Sequence, residues 1–136
     1  SEARAQGFRT ARVNILDVQP GPVPSACMRS RTADVVEIDY VGRLENGAIF
    51  DSRQRFAAML GSGEVVKGLE LGLYDMCIGE RRTLRVPPLL GFGQRGSRVY
   101  RVPSDATLVY EVELRSINLQ YDPRVRREDL DFEQRF

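Results

Sequence analysis

The sequence contains no histidine, no tryptophan and only one lysine, Lys67, among its 136 residues. Histidine is the commonest general base and metal ligand of proteins, and it is the usual partner of a catalytic serine or cysteine. Sites that depend on an imidazole are therefore excluded. The two cysteines cannot build a structural zinc site without further ligands. We therefore expect no metal and no cofactor, and any catalysis must proceed without an imidazole.

Long hydrophobic runs and a surplus of one charge are also missing. No apolar run approaches about 18 residues, so we expect no membrane span. Twenty basic and nineteen acidic side chains give a formal net charge of +1, which argues against a nucleic-acid-binding protein. What is present is sufficient for one ordinary domain, because 42% of the residues are apolar and a chain of this length buries most of its surface on folding.

Alternation of apolar and polar residues predicts β-strands along most of the chain. Residues 36–40 have the two-residue period of a half-buried strand. Asn46-Gly47 follows, which is a strong signal for a hairpin turn because both positions tolerate positive φ. Residues 89–105 form a long loop rich in glycine and arginine, of a length that is often functional. The other predicted strands lie at residues 13–18, 49–50, 56–60, 84–86 and 108–114, of which the last is the longest.

One segment has the period of a helix. Leu69, Leu73 and Met76 recur at helical spacing, which predicts a short helix between Val65 and Met76 that ends at Gly79. One helix is enough to cover a face of an antiparallel sheet. We expect an α+β fold in which a twisted antiparallel sheet of five or six strands wraps around one short α-helix. The predicted parts are an N-terminal arm with a short strand, a central domain and a charged C-terminal tail, at residues 1–26, 27–117 and 118–136.

Four segments carry recognisable motifs in unbroken order. They read ADVVEIDYVGRLENGAIFDS from Ala33, GEVVKGLELGLYDMCIGERRTLRVPP from Gly63, LGFG from Leu90 and VPSDATLVYEVEL from Val102. Together they resemble the FKBP-type peptidyl-prolyl cis/trans isomerases, the macrolide-binding immunophilins, over about residues 27–117. The placement of the cysteines is most similar to that in single-domain members of the secretory pathway and of organelle lumens.

The resemblance implies an apolar pocket that holds a proline. Without the resemblance, most of these residues would be interpreted simply as apolar core residues. Asp51 would be interpreted as a carboxylate that caps a turn. The resemblance implies catalytic roles for Tyr40, Phe50, Asp51, Phe92 and Tyr110. It implies substrate contacts for Phe56, Val65, Val66, Leu69 and Val102.

The implied chemistry needs none of the missing groups. The bond before a proline rotates over a barrier of about 20 kcal/mol, which arises from amide resonance. A twisted amide carries less charge separation than a planar one. A dry, aromatic pocket should therefore favour the twisted state relative to the planar ground state.

Several positions depart from the family pattern. Leu69 stands where many members have tryptophan, and Ala58 stands where phenylalanine is common. Phe92 replaces the usual tyrosine, so the hydroxyl that would hydrogen-bond a bound carbonyl is missing. Only residues 52–55 separate Asp51 from the next aromatic residue, whereas typical members have a longer bulged segment. These departures predict reduced activity and weak binding of macrolides of the tacrolimus or rapamycin type.

The resemblance also implies a disulfide between Cys27 and Cys77. Such a bond would close a loop of about 50 residues and stabilise the fold by about 4 kcal/mol in the chain-entropy model. It would place the protein in an oxidising compartment. Among such compartments we expect the endoplasmic reticulum lumen, and the alternatives are the thylakoid lumen and the mitochondrial intermembrane space. The opposing interpretation is two unpaired, buried thiols in a cytosolic protein.

Two functions remain open at this stage. The first is a prolyl isomerase that acts on Xaa-Pro bonds of client polypeptides as a folding helper. The second is a weakly active or inactive binding subunit or assembly factor of a larger complex, which it would contact through residues 1–26 and 118–136. The retained aromatic residues favour the first, and the departures from the family pattern favour the second.

Overall fold

The computed structural model describes residues 11–21 and 27–121 of the chain. Residues 1–10, 22–26 and 122–136, which belong to the predicted arm and tail, lie outside this description. The predicted short strand of the arm is present as the first strand. The elements, in chain order, are β1 (Asn14–Gln19), β2 (Val35–Leu44), β3 (Ile49–Met59), α1 (Lys67–Leu71), β4 (Arg81–Val86), a 3₁₀ turn (Pro88–Leu90) and β5 (Leu108–Ile117).

The strands form one antiparallel sheet in the order β1-β4-β5-β2-β3. α1 packs against one face of this sheet, and the core lies between them. The predicted α+β fold is therefore confirmed, with five strands in the sheet that the described residues form. None of the helices in the described residues is long and apolar enough to cross a membrane. The fully buried core side chains come from β2, α1, β4, β5 and the segment after α1, and include Ile38, Leu69, Leu73, Leu84, Leu108 and Leu114.

The strands predicted at 49–50 and 56–60 are a single strand in the structure. β3 has 11 residues and is longer than β5, which has 10, so the prediction that residues 108–114 form the longest strand is wrong. The pairing with β2 shifts at residues 54–55, where an extra residue is accommodated. Arg55 adopts a positive φ of 53° there, and its backbone N–H donates to the buried carboxylate of Asp39 at 2.7 Å. A short bulge thus replaces the break that the sequence suggested.

The helix is shorter than its apolar pattern predicts. α1 ends at Leu71, with Gly72 as its C-cap, rather than at Gly79. Beyond the helix, the guanidinium of Arg82 donates hydrogen bonds to the carbonyl oxygens of Gly72 and Tyr74, at 3.1 and 2.7 Å. The predicted apolar face survives beyond the helix, since Met76 is fully buried.

Two glycines let α1 lie close to β4. A Cβ placed on Gly68 would collide with Val86, and one placed on Gly72 would collide with Leu84. This close approach fixes the depth at which α1 carries Leu69 into the molecule, and so it fixes the floor of the site described next.

Cys27 and Cys77 form a disulfide, with their Cα atoms 5.5 Å apart. The pairing implied by the resemblance is therefore present in the structure. The neighbouring Ser30 reinforces this connection, because its hydroxyl donates to the Leu73 carbonyl oxygen at 2.6 Å and accepts the Met76 N–H at 2.8 Å. The segment before β2 is thus joined to the segment that follows α1.

Candidate active site

A cavity of about 200 Å³ opens between β3, the start of α1 and the loop that precedes β5. Its wall combines apolar, aromatic and charged side chains. Leu69, which is 1% exposed, contributes its apolar side chain from α1. The lining residues are Tyr40, Asp51, Arg53, Phe56, Glu64, Val65, Val66, Leu69, Phe92, Tyr100 and Tyr110.

Eight of the ten pocket residues that the resemblance implied lie on this wall. The other two, Phe50 and Val102, belong to the core packing behind it rather than to the lining. Phe50 packs edge-on against Phe92 and Tyr110, with ring centroids 5.9 and 5.6 Å apart. The ring fits because β2 has Gly42 at this point, where a Cβ would come within 2.5 Å of the Phe50 ring.

The inner part of the cavity is built around Tyr40. Its ring is edge-on to Phe56 at 6.1 Å and to Tyr110 at 5.8 Å between centroids, an arrangement that aromatic quadrupoles favour. Its hydroxyl donates to Oδ2 of Asp51 at 2.6 Å. Asp51 lies within β3 and not at a turn, so the turn-capping alternative is wrong, and the carboxylate instead orients a pocket tyrosine.

Arg53 is a lining residue that the sequence analysis missed. Its guanidinium lies 5.0 Å from the centre of the Phe56 ring, and its Nε lies 3.6 Å from Oδ1 of Asp51. Its Nη2 donates to the hydroxyl oxygen of Tyr100 at 3.3 Å. The signal was the shortened segment at 52–55, because four residues leave Arg53 next to the cavity.

Tyr100 was also missed, because it lies in a loop where no periodicity marks it. The loop closes into a tight hairpin in which Ser97 and Val102 exchange both backbone hydrogen bonds at 2.8 Å. The Tyr100 N–H donates to the Ser97 hydroxyl at 3.2 Å. The ring contacts Phe92, with centroids 5.8 Å apart, and this places the phenol at the mouth of the cavity. Glu64, the third residue missed, lies at the same mouth.

The tyrosines deep in the cavity are neutral. Burial raises the pKa of Tyr40 above the ordinary phenol value, and the hydrogen bond to Asp51 raises that pKa further. Burial is also the main cause of the raised pKa of Tyr110, and the nearby charge of Asp51 adds to it. Both phenols keep their protons at pH 7 and well above it, so neither acts as a nucleophile. The lining can therefore bind an apolar ring without a covalent step.

Residues 27–115 match the family described as FKBP-type peptidyl-prolyl cis-trans isomerase. The peptidyl-prolyl cis-trans isomerases FKBP2 of Mus musculus and Homo sapiens are each 47% identical over 94 residues, which cover 66% of this chain and 66% of theirs. Peptidyl-prolyl cis-trans isomerase FKBP15-2 of Arabidopsis thaliana is 36% identical over 120 residues, or 83% of this chain and 73% of its own. The match thus spans just under two thirds of the length of the two mammalian relatives. With this match across its sheet, helix and cavity, the chain belongs to the FKBP-type peptidyl-prolyl cis-trans isomerase family.

Proposed function

We propose that the protein catalyses cis/trans isomerisation of Xaa-Pro bonds in client polypeptides and so assists their folding. The observation that carries this proposal is the cavity itself, which has the apolar Leu69 on its wall and aromatic rings around it. A proline ring is apolar and lacks an N–H, so it enters such a cavity without losing a hydrogen bond. The names of the mammalian and plant relatives support the same activity.

Catalysis requires only shape and desolvation. The barrier of about 20 kcal/mol reflects the resonance of the planar amide, and a twisted amide is less polar than a planar one. The apolar wall disfavours the planar form once water is excluded. Tyr40 and Asp51, held by their 2.6 Å hydrogen bond, keep the cavity in one shape. Binding energy is then available for the twisted state rather than for both states equally.

The proposed activity is lower than that of members with a full aromatic wall. Leu69 presents less surface than the tryptophan that many members have. The missing hydroxyl of Phe92 removes a hydrogen bond whose net contribution is about 0.5–1.5 kcal/mol. For the same reasons, we propose that a macrolide of the tacrolimus or rapamycin type binds weakly.

The proposed site of action is an oxidising lumen. Disulfides persist in such compartments and are rare in reducing ones, and the Cys27–Cys77 bond supports this assignment. The endoplasmic reticulum lumen is the first choice, before the thylakoid lumen and the mitochondrial intermembrane space. Contact with a larger complex would use residues 1–26 and 118–136, most of which lie outside the described residues.

Exchange NMR of a Leu-Pro peptide with the full chain tests the activity. We expect the exchange rate between the cis and trans signals to rise with protein concentration, and a tacrolimus-type macrolide in excess to abolish the rise. The Asp51→Asn variant keeps the size of the side chain but removes the charge that accepts the Tyr40 hydroxyl, so we expect it to lower the rate. A folded wild-type chain that neither accelerates exchange nor binds the macrolide would contradict the proposal and favour the binding subunit.

A further inference from the structure

Tyr100 and Arg53 form a hydrogen bond across the mouth of the cavity, from two elements distant in sequence. Arg53 lies in the shortened part of β3, and Tyr100 lies near the tip of the hairpin closed by Ser97 and Val102. The guanidinium is also held by the Phe56 ring and lies near the Asp51 carboxylate. The phenol oxygen therefore has a fixed position beside the cavity.

The direction of this hydrogen bond determines what the phenol can do next. A guanidinium has only donors, so Arg53 donates and the oxygen of Tyr100 accepts. The phenolic proton remains available for another acceptor. Within residues 11–21 and 27–121, no protein group accepts it. Accepting from a charged donor also polarises the phenol and makes it a better donor in turn.

The neighbouring ring of Phe92 lacks the hydroxyl that most family members have at that position. Phe92 lines the same cavity and contacts Tyr100, with ring centroids 5.8 Å apart. Phe92 has no hydroxyl, so its edge offers no hydrogen bond to a client backbone. Tyr100 supplies a hydroxyl from the adjacent ring, on the same side of the cavity.

We propose that Tyr100 is a substrate-positioning residue, whose hydroxyl donates a hydrogen bond to a backbone carbonyl oxygen of the client beside the bound proline. Arg53 orients the phenol by donating to its oxygen. This inference rests on the proposed isomerase function, because it assigns a further contact in the same cavity. It makes the hairpin at 97–102 and the shortened segment of β3 act together, since each supplies one partner of the bond.

The test compares Tyr100→Phe with the wild-type full chain on the Leu-Pro peptide. Loss of one neutral hydrogen bond should lower kcat/KM by about two- to twelve-fold. Phe92→Tyr introduced into the Tyr100→Phe background should restore most of this loss, because it returns a hydroxyl to the same side of the cavity. A merely structural role of Tyr100 would not respond to that second change. Tyr121→Phe is the matched control, since its hydroxyl bonds Glu37 away from the cavity, and we expect its kcat/KM to equal that of the wild type.

The outcomes separate this inference from the function on which it rests. An active wild type with an unchanged Tyr100→Phe variant overturns the inference and leaves the isomerase intact. A loss that Phe92→Tyr does not restore also overturns it, in favour of a structural role for the ring hydroxyl. If the wild type accelerates nothing, the isomerase proposal fails, and NMR titration with the same peptide decides the inference. Equal Kd values for the wild type and Tyr100→Phe would then overturn it, and a weaker Kd for the variant would support it.

Discussion

At the residue scale, a few polar groups determine the character of an otherwise apolar cavity. Asp51 accepts a hydrogen bond from the hydroxyl of Tyr40, while Arg53 donates one to the oxygen of Tyr100. One phenol is therefore committed as a donor within the protein, and the other keeps its proton for a ligand. Tyr110 is 2% exposed and contributes its ring to the wall. Tyr40 and Tyr100 thus differ in role because the hydroxyl of Tyr40 donates to Asp51, whereas the oxygen of Tyr100 accepts from Arg53.

The raised pKa values of Tyr40 and Tyr110 predict how stability changes with pH. In an unfolded chain, tyrosines have ordinary pKa values of about 10 and lose their protons above that pH. The folded chain still keeps the protons of Tyr40 and Tyr110 there. Because the folded state then binds more protons, the free energy of unfolding falls as the pH rises above about 10. The fall amounts to at most about 1.4 kcal/mol per pH unit for each tyrosine. Below about pH 9 these two tyrosines do not change the free energy of unfolding as the pH varies.

Urea unfolding at intervals from pH 8 to pH 11, followed by circular dichroism, measures this slope. Tyr40→Phe should reduce it, because one of the two titrating groups is removed. Tyr121→Phe serves as the control, because it removes an exposed phenol that lies outside the cavity. A Tyr40→Phe variant that retains the full wild-type slope would show that this tyrosine is not the source.

At the element scale, the site depends on how closely one short helix approaches the sheet. α1 has five residues, which is too short to be stable by itself. Its stability comes from packing against β4, and Gly68 and Gly72 make that contact possible. The helix also carries Leu69 to the cavity, so the same contact that stabilises α1 sets the depth of the pocket.

Gly68→Ala should therefore destabilise the protein although alanine is the better helix former. The gain in helix propensity is about 1 kcal/mol, while overpacking against a filled core costs about 1–3 kcal/mol. The new Cβ would meet Val86 and would lie 3.1 Å from the Leu90 carbonyl oxygen, which is backbone and yields little. We expect the free energy of unfolding in urea to fall by up to about 2 kcal/mol, and the rate on the Leu-Pro peptide to fall because Leu69 is displaced. Lys67→Ala on the exposed side of the same helix is the control, and equal stability of the two variants would refute the close-packing explanation.

At the scale of the whole molecule, one covalent bond joins segments that are separated by 50 residues. It holds the segment before β2 to the segment after α1. These two segments also share the Ser30 hydrogen bonds and an isolated bridge between Arg29 and Cys77. The cavity wall contains neither cysteine, so the bond supports the frame of the molecule rather than the site.

Reduction of the disulfide should lower stability and leave activity in place. A loop of this length is worth about 2–4 kcal/mol to the free energy of unfolding. We expect the urea midpoint to move down on addition of reductant, while the folded protein at low urea keeps its rate on the Leu-Pro peptide. A double variant with Cys27→Ser and Cys77→Ser should show the lower midpoint whether or not reductant is present. An identical midpoint for the wild type with and without reductant would contradict the stabilising role.

The sequence by itself determined the features that depend on local periodicity and on motif order. The alternation along β2 and β5, the turn at Asn46-Gly47 and the apolar face of α1 are local, because side-chain direction follows from the backbone within a few residues. The motifs identified the family and, through the resemblance, eight residues of the cavity wall and the disulfide.

Only the tertiary structure decided where α1 ends, how β3 continues through residues 52–55, and which loop residues reach the cavity. The helix ends at Leu71, where Arg82 from β4 donates hydrogen bonds to the carbonyl oxygens of Gly72 and Tyr74 beyond it. β3 continues because Asp39 on the neighbouring strand holds the Arg55 N–H of its bulge. Tyr100 meets Arg53 because the path of a long loop and the register of a strand place them together, and neither is encoded in the residues beside them. Contacts between elements depend on the packing of the whole chain, so no local pattern in the sequence could contain them.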